Sequence, residues 1–456
     1  MKRRTFAKTG LTAGVSGAIA ASCGGEGLPW KKGLETESYS GDTIAGMTIE
    51  ELREDYHQRL FARYLPFWEK GGFDEEFGGF MCLLNDDGTV ADEEKYNWYQ
   101  GRALWVYSFL YNNFGQDSRH LEIAQKTRDF IVKYMKAGTG TWYERVHRDG
   151  RVKEGVSDNI YGWLFIANGL TEFYKATKNE EDRKMVYDTI WSALRVYDNA
   201  NYKGIGNYGG LPAIKSVTGL RSQGHSMVII RLLTQLLSHQ RNRKLEGVLE
   251  QHVELVMKKF FNPQLGITNE YLQHDYSRIP GYEDYMFTGH SVETMWMIMF
   301  EALRTKDTQL FADAKNIIIR YIEMSWDYVF EGFGDGHFYV FDGLDRTSKK
   351  LYGIKSMWSH CELLIALMHI YEYTLDHRAK DLYERVRAYT IKAFDTDYGV
   401  WRQAVNRFGG EVQRDGVPSK RKGNFHQPRY LMLSILSLDR LIKNQGQPTS
   451  FPGIFT

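Results

Sequence analysis

The chain has 456 residues, 43% of them hydrophobic and 14% aromatic, which supplies a large buried core and excludes a disordered protein. Its 58 Lys and Arg nearly cancel its 57 Asp and Glu, leaving a formal charge of +1. Net charge therefore predicts neither a nucleic-acid surface nor a membrane surface.

The first segment is predicted to lie outside the fold. Lys2-Arg3-Arg4-Thr5-Phe6-Ala7-Lys8 reads as a twin-arginine leader, and the weakly apolar stretch 9–21 is too short to span a bilayer. Ala20-Ala21-Ser22-Cys23 reads as a lipoprotein cleavage site with Cys23 acylated, although Ala20 stands where such sites usually carry Leu. The expectation is an exported, periplasmic or cell-envelope protein whose only membrane contact is this lipid anchor. On this reading 1–23 is the signal, 24–47 a flexible tether, 48–445 the folded domain and 446–456 a tail. Beyond the signal only Cys82 and Cys361 remain, so no disulfide framework is expected. No CxxC, HExxH or clustered His/Cys pattern points to a metal.

Helical periodicity then recurs at 101–111, 160–176, 226–237, 292–303, 314–324, 362–374 and 430–442. A loose theme separates the helices: Gly72-Phe73-Asp74-Glu75-Glu76-Phe77-Gly78-Gly79-Phe80, Phe261-Asn262-Pro263-Gln264-Leu265-Gly266, Trp326-Asp327-Tyr328-Val329-Phe330-Glu331-Gly332 and Phe394-Asp395-Thr396-Asp397-Tyr398-Gly399. Each helix–loop–helix unit needs neighbours to bury its apolar face, and about six pairs closed into a ring would use ~400 residues. The predicted fold is therefore all-α, an (α/α)6 barrel with a central cavity, with an open α-solenoid as runner-up.

The chemistry sits in four segments. His290 lies in Phe287-Thr288-Gly289-His290-Ser291-Val292-Glu293-Thr294-Met295-Trp296, and Glu293, three residues on, shares its helix face and can orient the ring. His426 lies in Phe425-His426-Gln427-Pro428-Arg429, where Pro428 suits the start of a helix. Two imidazoles titrating near neutrality can take a proton from one face of a carbon and return it on the other. Either histidine alone reads more readily as a helix-start cap or packing residue. Arg102, in Lys95-Tyr96-Asn97-Trp98-Tyr99-Gln100-Gly101-Arg102-Ala103-Leu104-Trp105, needs an anionic partner if buried: a carboxylate such as Glu293, or an enediolate oxygen. Trp98, Trp105 and Trp358 are candidate sugar platforms, and His360 and Glu362 candidate sugar contacts, although two residues apart on a regular helix they do not share a face. No Gly-rich dinucleotide fingerprint is present, and no cofactor is expected.

Taken in order, Tyr-x-Trp-x-Gln-Gly-Arg, Gly-His-x-x-Glu, Lys-x-x-Trp-x-His-x-Glu and Phe-His-x-Pro-Arg resemble the N-acylglucosamine 2-epimerase family. That family also holds renin-binding protein and, more distantly, the cellobiose 2-epimerases and aldose–ketose isomerases. The resemblance spans the domain from Gly72 to beyond His426 and implies an (α/α)6 barrel and metal-free epimerisation of an open-chain sugar at C2. It implies His290 and His426 as the acid/base pair, Arg102 as the enolate-stabilising arginine and Glu293 as support for His290. The departures are Met357-Trp358-Ser359-His360 for the family's Trp-Trp-Pro-His, and Val400-Trp401-Arg402 for its acidic-Trp loop; both are expected near the sugar. Cellobiose-active members reach the second histidine through Trp-Lys-x-Pro-Tyr-His, whereas this chain has Arg421-Lys422-Gly423-Asn424-Phe425-His426. Three alternatives stay open: an isomerase of the same family, a glycoside hydrolase using carboxylates among Glu270, Asp335 and Glu362, and an inactive sugar-binding lipoprotein. The expected partner is a small-molecule sugar, and a homodimer stays open.

Overall fold

Six helices that form the outer layer each start on a short polar side chain. Thr48 forms a reciprocal capping box with Glu51 at α1 (Ile49–His57). Asp117, Asn179, Asn242, Asp307 and Asp376 each accept a backbone N–H at the starts of α3 (Ser118–Phe130), α5 (Glu180–Tyr197), α7 (Arg243–Glu254), α9 (Thr308–Ser325) and α11 (His377–Phe394). These helices are amphipathic, with one face buried and the other exposed to solvent. Between them run α2 (Asn97–Asn113), α4 (Ile160–Thr177), α6 (Gln223–Leu237), α8 (Thr288–Thr305), α10 (Met357–Thr374) and α12 (His426–Lys443), which are buried around most of their circumference.

The computed structural model describes residues 43–203, 217–334, 337–339, 354–414, 417–418 and 420–451. The expectations for signal 1–23, acylated Cys23, the tether up to residue 42 and the carboxylate of Asp335 lie outside these residues. Thr43–Ile44 and Met47–Thr48 pair as a small antiparallel ladder leading into α1. Among the described residues, no helix is long and apolar enough to cross a membrane.

Each even-numbered helix packs on the next, α2 on α4 through to α10 on α12, and α12 returns to α2. Five outer helices pack as hairpin partners of the inner helix before them, and the sixth pair joins the first helix to the last, α1 to α12. The ring is closed, so the (α/α)6 barrel stands and the open solenoid does not.

Four short strands, Lys95–Tyr96, Arg221–Ser222, Tyr285–Phe287 and Ile354–Ser356, run directly into inner helices. At two or three residues each, they are too brief to register as strand-like alternation. The recurring loop theme fixes these approaches. Asp74, Asn262 and Asp327 each accept a backbone N–H two residues on, at 3.1, 3.2 and 3.1 Å. The turn at Gly266 has φ +64°, a left-handed conformation that glycine adopts without steric cost. Asp74 and Asp327 also grip the lysines just ahead of two inner helices, Lys95 at 2.8 Å and Lys355 at 3.4 Å. Arg148 and Arg407 complete the two clusters, at 2.9 and 3.0 Å. The barrel thus anchors the N-termini of α2 and α10 by the same device.

Burial holds His225 and His369 near pKa 4, and His252 and His360 near 3, below the ordinary 6.5. These rings are neutral when folded but take protons near pH 6.5 when unfolded, so below that pH the unfolded state binds more protons and stability falls. The melting temperature is expected to drop steadily between about pH 6.5 and pH 5, above the range where ordinary carboxylates titrate. Thermal denaturation across that window checks this; a flat profile would contradict it.

Candidate active site

Five of the six inner helices, all but α6, present their N-terminal turns to one cavity of about 180 Å³. Trp98 is the second residue of α2, Tyr161 the second of α4, His290 the third of α8, Trp358 the second of α10 and His426 the first of α12. All five line the cavity, with Arg102, Phe287, Glu293, Gln403, Arg421 and Phe425. Helix N-termini carry partial positive charge, which suits an anion forming there.

The two histidines flank one indole: the Trp358 ring centroid stands 5.6 Å from that of His290 and 5.5 Å from that of His426. Each ring has its own carboxylate on Nδ1. Glu270 Oε1 lies 3.1 Å from His290 Nδ1, and Glu362 Oε1 lies 2.7 Å from His426 Nδ1. A carboxylate on Nδ1 favours the tautomer with its proton there, which makes Nε2 the basic nitrogen. Burial, then the positive charge of Arg102, holds His426 well below its ordinary pKa, so it rests as a neutral base at neutral pH.

Behind His426 lies a buried cation. Arg429, three residues on and on the same face of α12, pairs with Glu293 and with Glu362 Oε1 at 2.7 Å. Trp296 Nε1 donates to the other Glu362 oxygen at 2.9 Å. Burial opposes the Arg429 charge, yet the two carboxylates keep its pKa above the ordinary value. Burial raises the pKa of Glu362 despite that pairing. Glu293, Glu362 and His426 bring potential ligand atoms within 4.8 Å of one another, but the Arg429 guanidinium already supplies positive charge to both carboxylates.

Arg102 has a different environment. Its guanidinium carbon lies 4.2 Å from the Phe165 ring centroid and 5.0 Å from those of Trp98 and Phe425, and Nη2 donates to Tyr161 Oη at 3.1 Å. Its Nε is buried without a partner, and no carboxylate among the described residues pairs with it. The charge is positioned without a direct ion pair.

Several expectations need correcting. Glu293 lines the cavity but holds Arg429; Glu270, twenty residues before His290, takes the role assigned to it. Glu362 does not contact the cavity, being fully buried behind His426. Trp105 is also withdrawn from the wall, donating to Gln235 at 3.2 Å and stacking on Phe109 at 4.7 Å. His360 turns away, its Nδ1 on the Ser356 carbonyl at 2.7 Å and its Nε2 accepting Phe333 N–H at 3.0 Å. Trp358 and Glu362, four apart, share the face that His360 leaves. The departures Met357, Ser359 and Val400 are buried and line no part of the cavity. Arg429 was legible as an i, i+3 partner of His426, but Glu270 had no local signal.

A closed ring of helix pairs around two carboxylate-backed histidines defines an (α/α)6 barrel with a histidine-lined cavity. The model of the N-acylglucosamine 2-epimerase family matches residues 78–426, and the chain belongs to that family. It is 26% identical to the N-acylglucosamine 2-epimerase of Rattus norvegicus over 412 residues, covering 88% of this chain and 94% of that protein. It is 23% identical to the cellobiose 2-epimerase of Dictyoglomus turgidum over 392 residues, covering 82% and 94%. The cellobiose 2-epimerase structure from Spirochaeta thermophila superposes with a TM-score of 0.71 at 17% identity, covering 86% of this chain and 98% of that one.

Removing the cation between Glu293 and Glu362 leaves two buried carboxylates facing each other. Arg429→Met is therefore expected to destabilise the fold by about 3–5 kcal/mol. Urea denaturation measures this, and a loss below ~1 kcal/mol, the worth of an exposed ion pair, would contradict the assignment.

Proposed function

We propose that the protein epimerises an aldose at C2, acting on the open-chain reducing end, with an N-acylglucosamine-type sugar converted to its manno epimer. The observation that carries this reading is the pair of histidines, each with a carboxylate on Nδ1, in one cavity with an arginine that makes no direct ion pair.

Ring opening exposes a C1 aldehyde, and the C2 hydrogen becomes acidic because the resulting anion delocalises onto O1. One histidine Nε2 removes that proton. Arg102 and the inner-helix N-termini stabilise the planar enediolate. The other histidine returns a proton on the opposite face of C2, giving the epimer. Return to C1 instead would give a ketose, so isomerisation is the second reading within the same chemistry.

A hydrolase would need two carboxylates free to flank a glycosidic bond. Glu270 and Glu362 are instead engaged by imidazoles, which favours proton transfer at carbon. The substitutions that suggested an inactive binding protein lie in the core, leaving the acid/base pair intact.

In heavy water, the wild-type protein is expected to incorporate deuterium at C2 of N-acetylglucosamine and yield the manno epimer, followed by NMR. His290→Ala and His426→Ala should each slow epimer formation by about 10²–10⁴-fold while retaining the wild-type circular dichroism. Loss of folding would mark the rings as packing residues, and retained conversion in either variant would contradict the mechanism. A higher kcat/KM for cellobiose than for N-acetylglucosamine would overturn the sugar assignment without touching the mechanism.

A further inference from the structure

Two cations at the cavity stand outside its direct ion pairs. Arg429 is held by Glu293 and Glu362. Lys422 reaches away to Asp86 at 2.5 Å. Two guanidiniums remain, Arg102 and Arg421, and both line the cavity. They share one platform, the Trp98 ring, with guanidinium carbons 5.0 and 5.8 Å from its centroid. Arg421 is exposed at the rim and, among the described residues, makes no ion pair or hydrogen bond. Its backbone is held in place by a bridge to Leu83, so the side chain starts from a fixed point.

An exposed arginine without a partner is common and signifies little by itself. Here two like charges are held beside one aromatic ring in the same cavity, where each disfavours the other unless an anion neutralises them. Both also oppose the protonation of His426, which places Arg421 within electrostatic reach of the acid/base pair. The enediolate formed at C1 and C2 supplies one negative charge, which suits Arg102. A second cation at the mouth suits a second, permanent charge elsewhere on the sugar. Guanidinium forks match carboxylates and phosphates bidentately, whereas a neutral hydroxyl would leave the charge uncompensated.

We propose that Arg421 forms an anion subsite and that the preferred substrate is an aldose carrying an anionic substituent away from its reducing end. This deepens the epimerase reading and rests on it for the chemistry, although binding can be measured without turnover.

The experiment uses matched pairs of sugars that differ in one charged group: N-acetylmuramate against N-acetylglucosamine, glucuronate against glucose, and glucose 6-phosphate against glucose. Calorimetric Kd values are measured for wild-type protein and for Arg421→Gln, at low and high salt. At least one acidic member is expected to bind about 10–100-fold more tightly than its neutral counterpart, with the advantage shrinking in high salt. In Arg421→Gln the ratio should fall to near one. Preference confined to the phosphate arm, or to a carboxylate arm, tells which anion the fork takes, and either supports the subsite. Ratios near one for all three pairs in the wild type, or a ratio that survives in Arg421→Gln, would overturn it. Deuterium exchange at C2, run on the same sugars, reports separately on the epimerase reading: tight acidic-sugar binding without exchange sinks that reading and leaves the subsite standing.

Discussion

The site depends on one buried cation. Arg429 projects from α12 between Glu293 of α8 and Glu362 of α10, and all three side chains are almost wholly shielded from water. A charge in that position is tolerable only if its partners stay within hydrogen-bonding distance, so the pairing fixes three inner helices against one another. Glu362, held by Arg429 and Trp296, in turn holds the His426 ring. On the far side of Trp358, Glu270 does the same for His290, itself positioned by Ser222 Oγ at 3.2 Å.

Barrel closure turns this local arrangement into a cavity. Because α12 returns to α2, the N-termini of the inner helices meet around one axis, with aromatic side chains between them. The fields there favour negative charge. Arg102 is left without a direct ion pair and partly buried among aromatic rings, where its charge is weakly screened. His426 is kept neutral by burial and by that same positive charge, so it is ready to accept a proton. The positive charge of Arg102, which in the proposed mechanism would support the enediolate, is thus also one that keeps His426 unprotonated.

Much of this was legible in the sequence because it is local. Helical periodicity marked stretches of all six inner helices, and the recurring aromatic–Asp–Gly loops marked the repeat that closes into a ring. The spacing of His290 and Glu293 placed both on the cavity wall, as helix geometry requires. What spacing could not show was which partner each group would choose. Glu293 was free to meet His290, Arg102 or Arg429, and only the approach of α12 to α8 decides for Arg429. Glu270 reaches His290 because the segment between α7 and α8 folds back, with Glu270 N–H on the Tyr285 carbonyl at 3.2 Å. His360 and Trp105 share segments with true cavity residues, but helix rotation turns His360 into the core and depth along α2 places Trp105 below the cavity. The expected placement of Met357, Ser359 and Val400 near the sugar failed for the same reason: adjacency in sequence is not adjacency in the site.

The most direct measurement of the central claim is C2 proton exchange in heavy water for each epimer separately, in the two single-histidine variants. If one imidazole serves each face, His290→Ala should still exchange the C2 hydrogen of one epimer and not of the other. His426→Ala should show the opposite preference, and neither variant should interconvert the epimers at an appreciable rate. Identical preferences in both variants, or interconversion that survives the loss of either ring, would mean that a single base works both faces and would contradict the account.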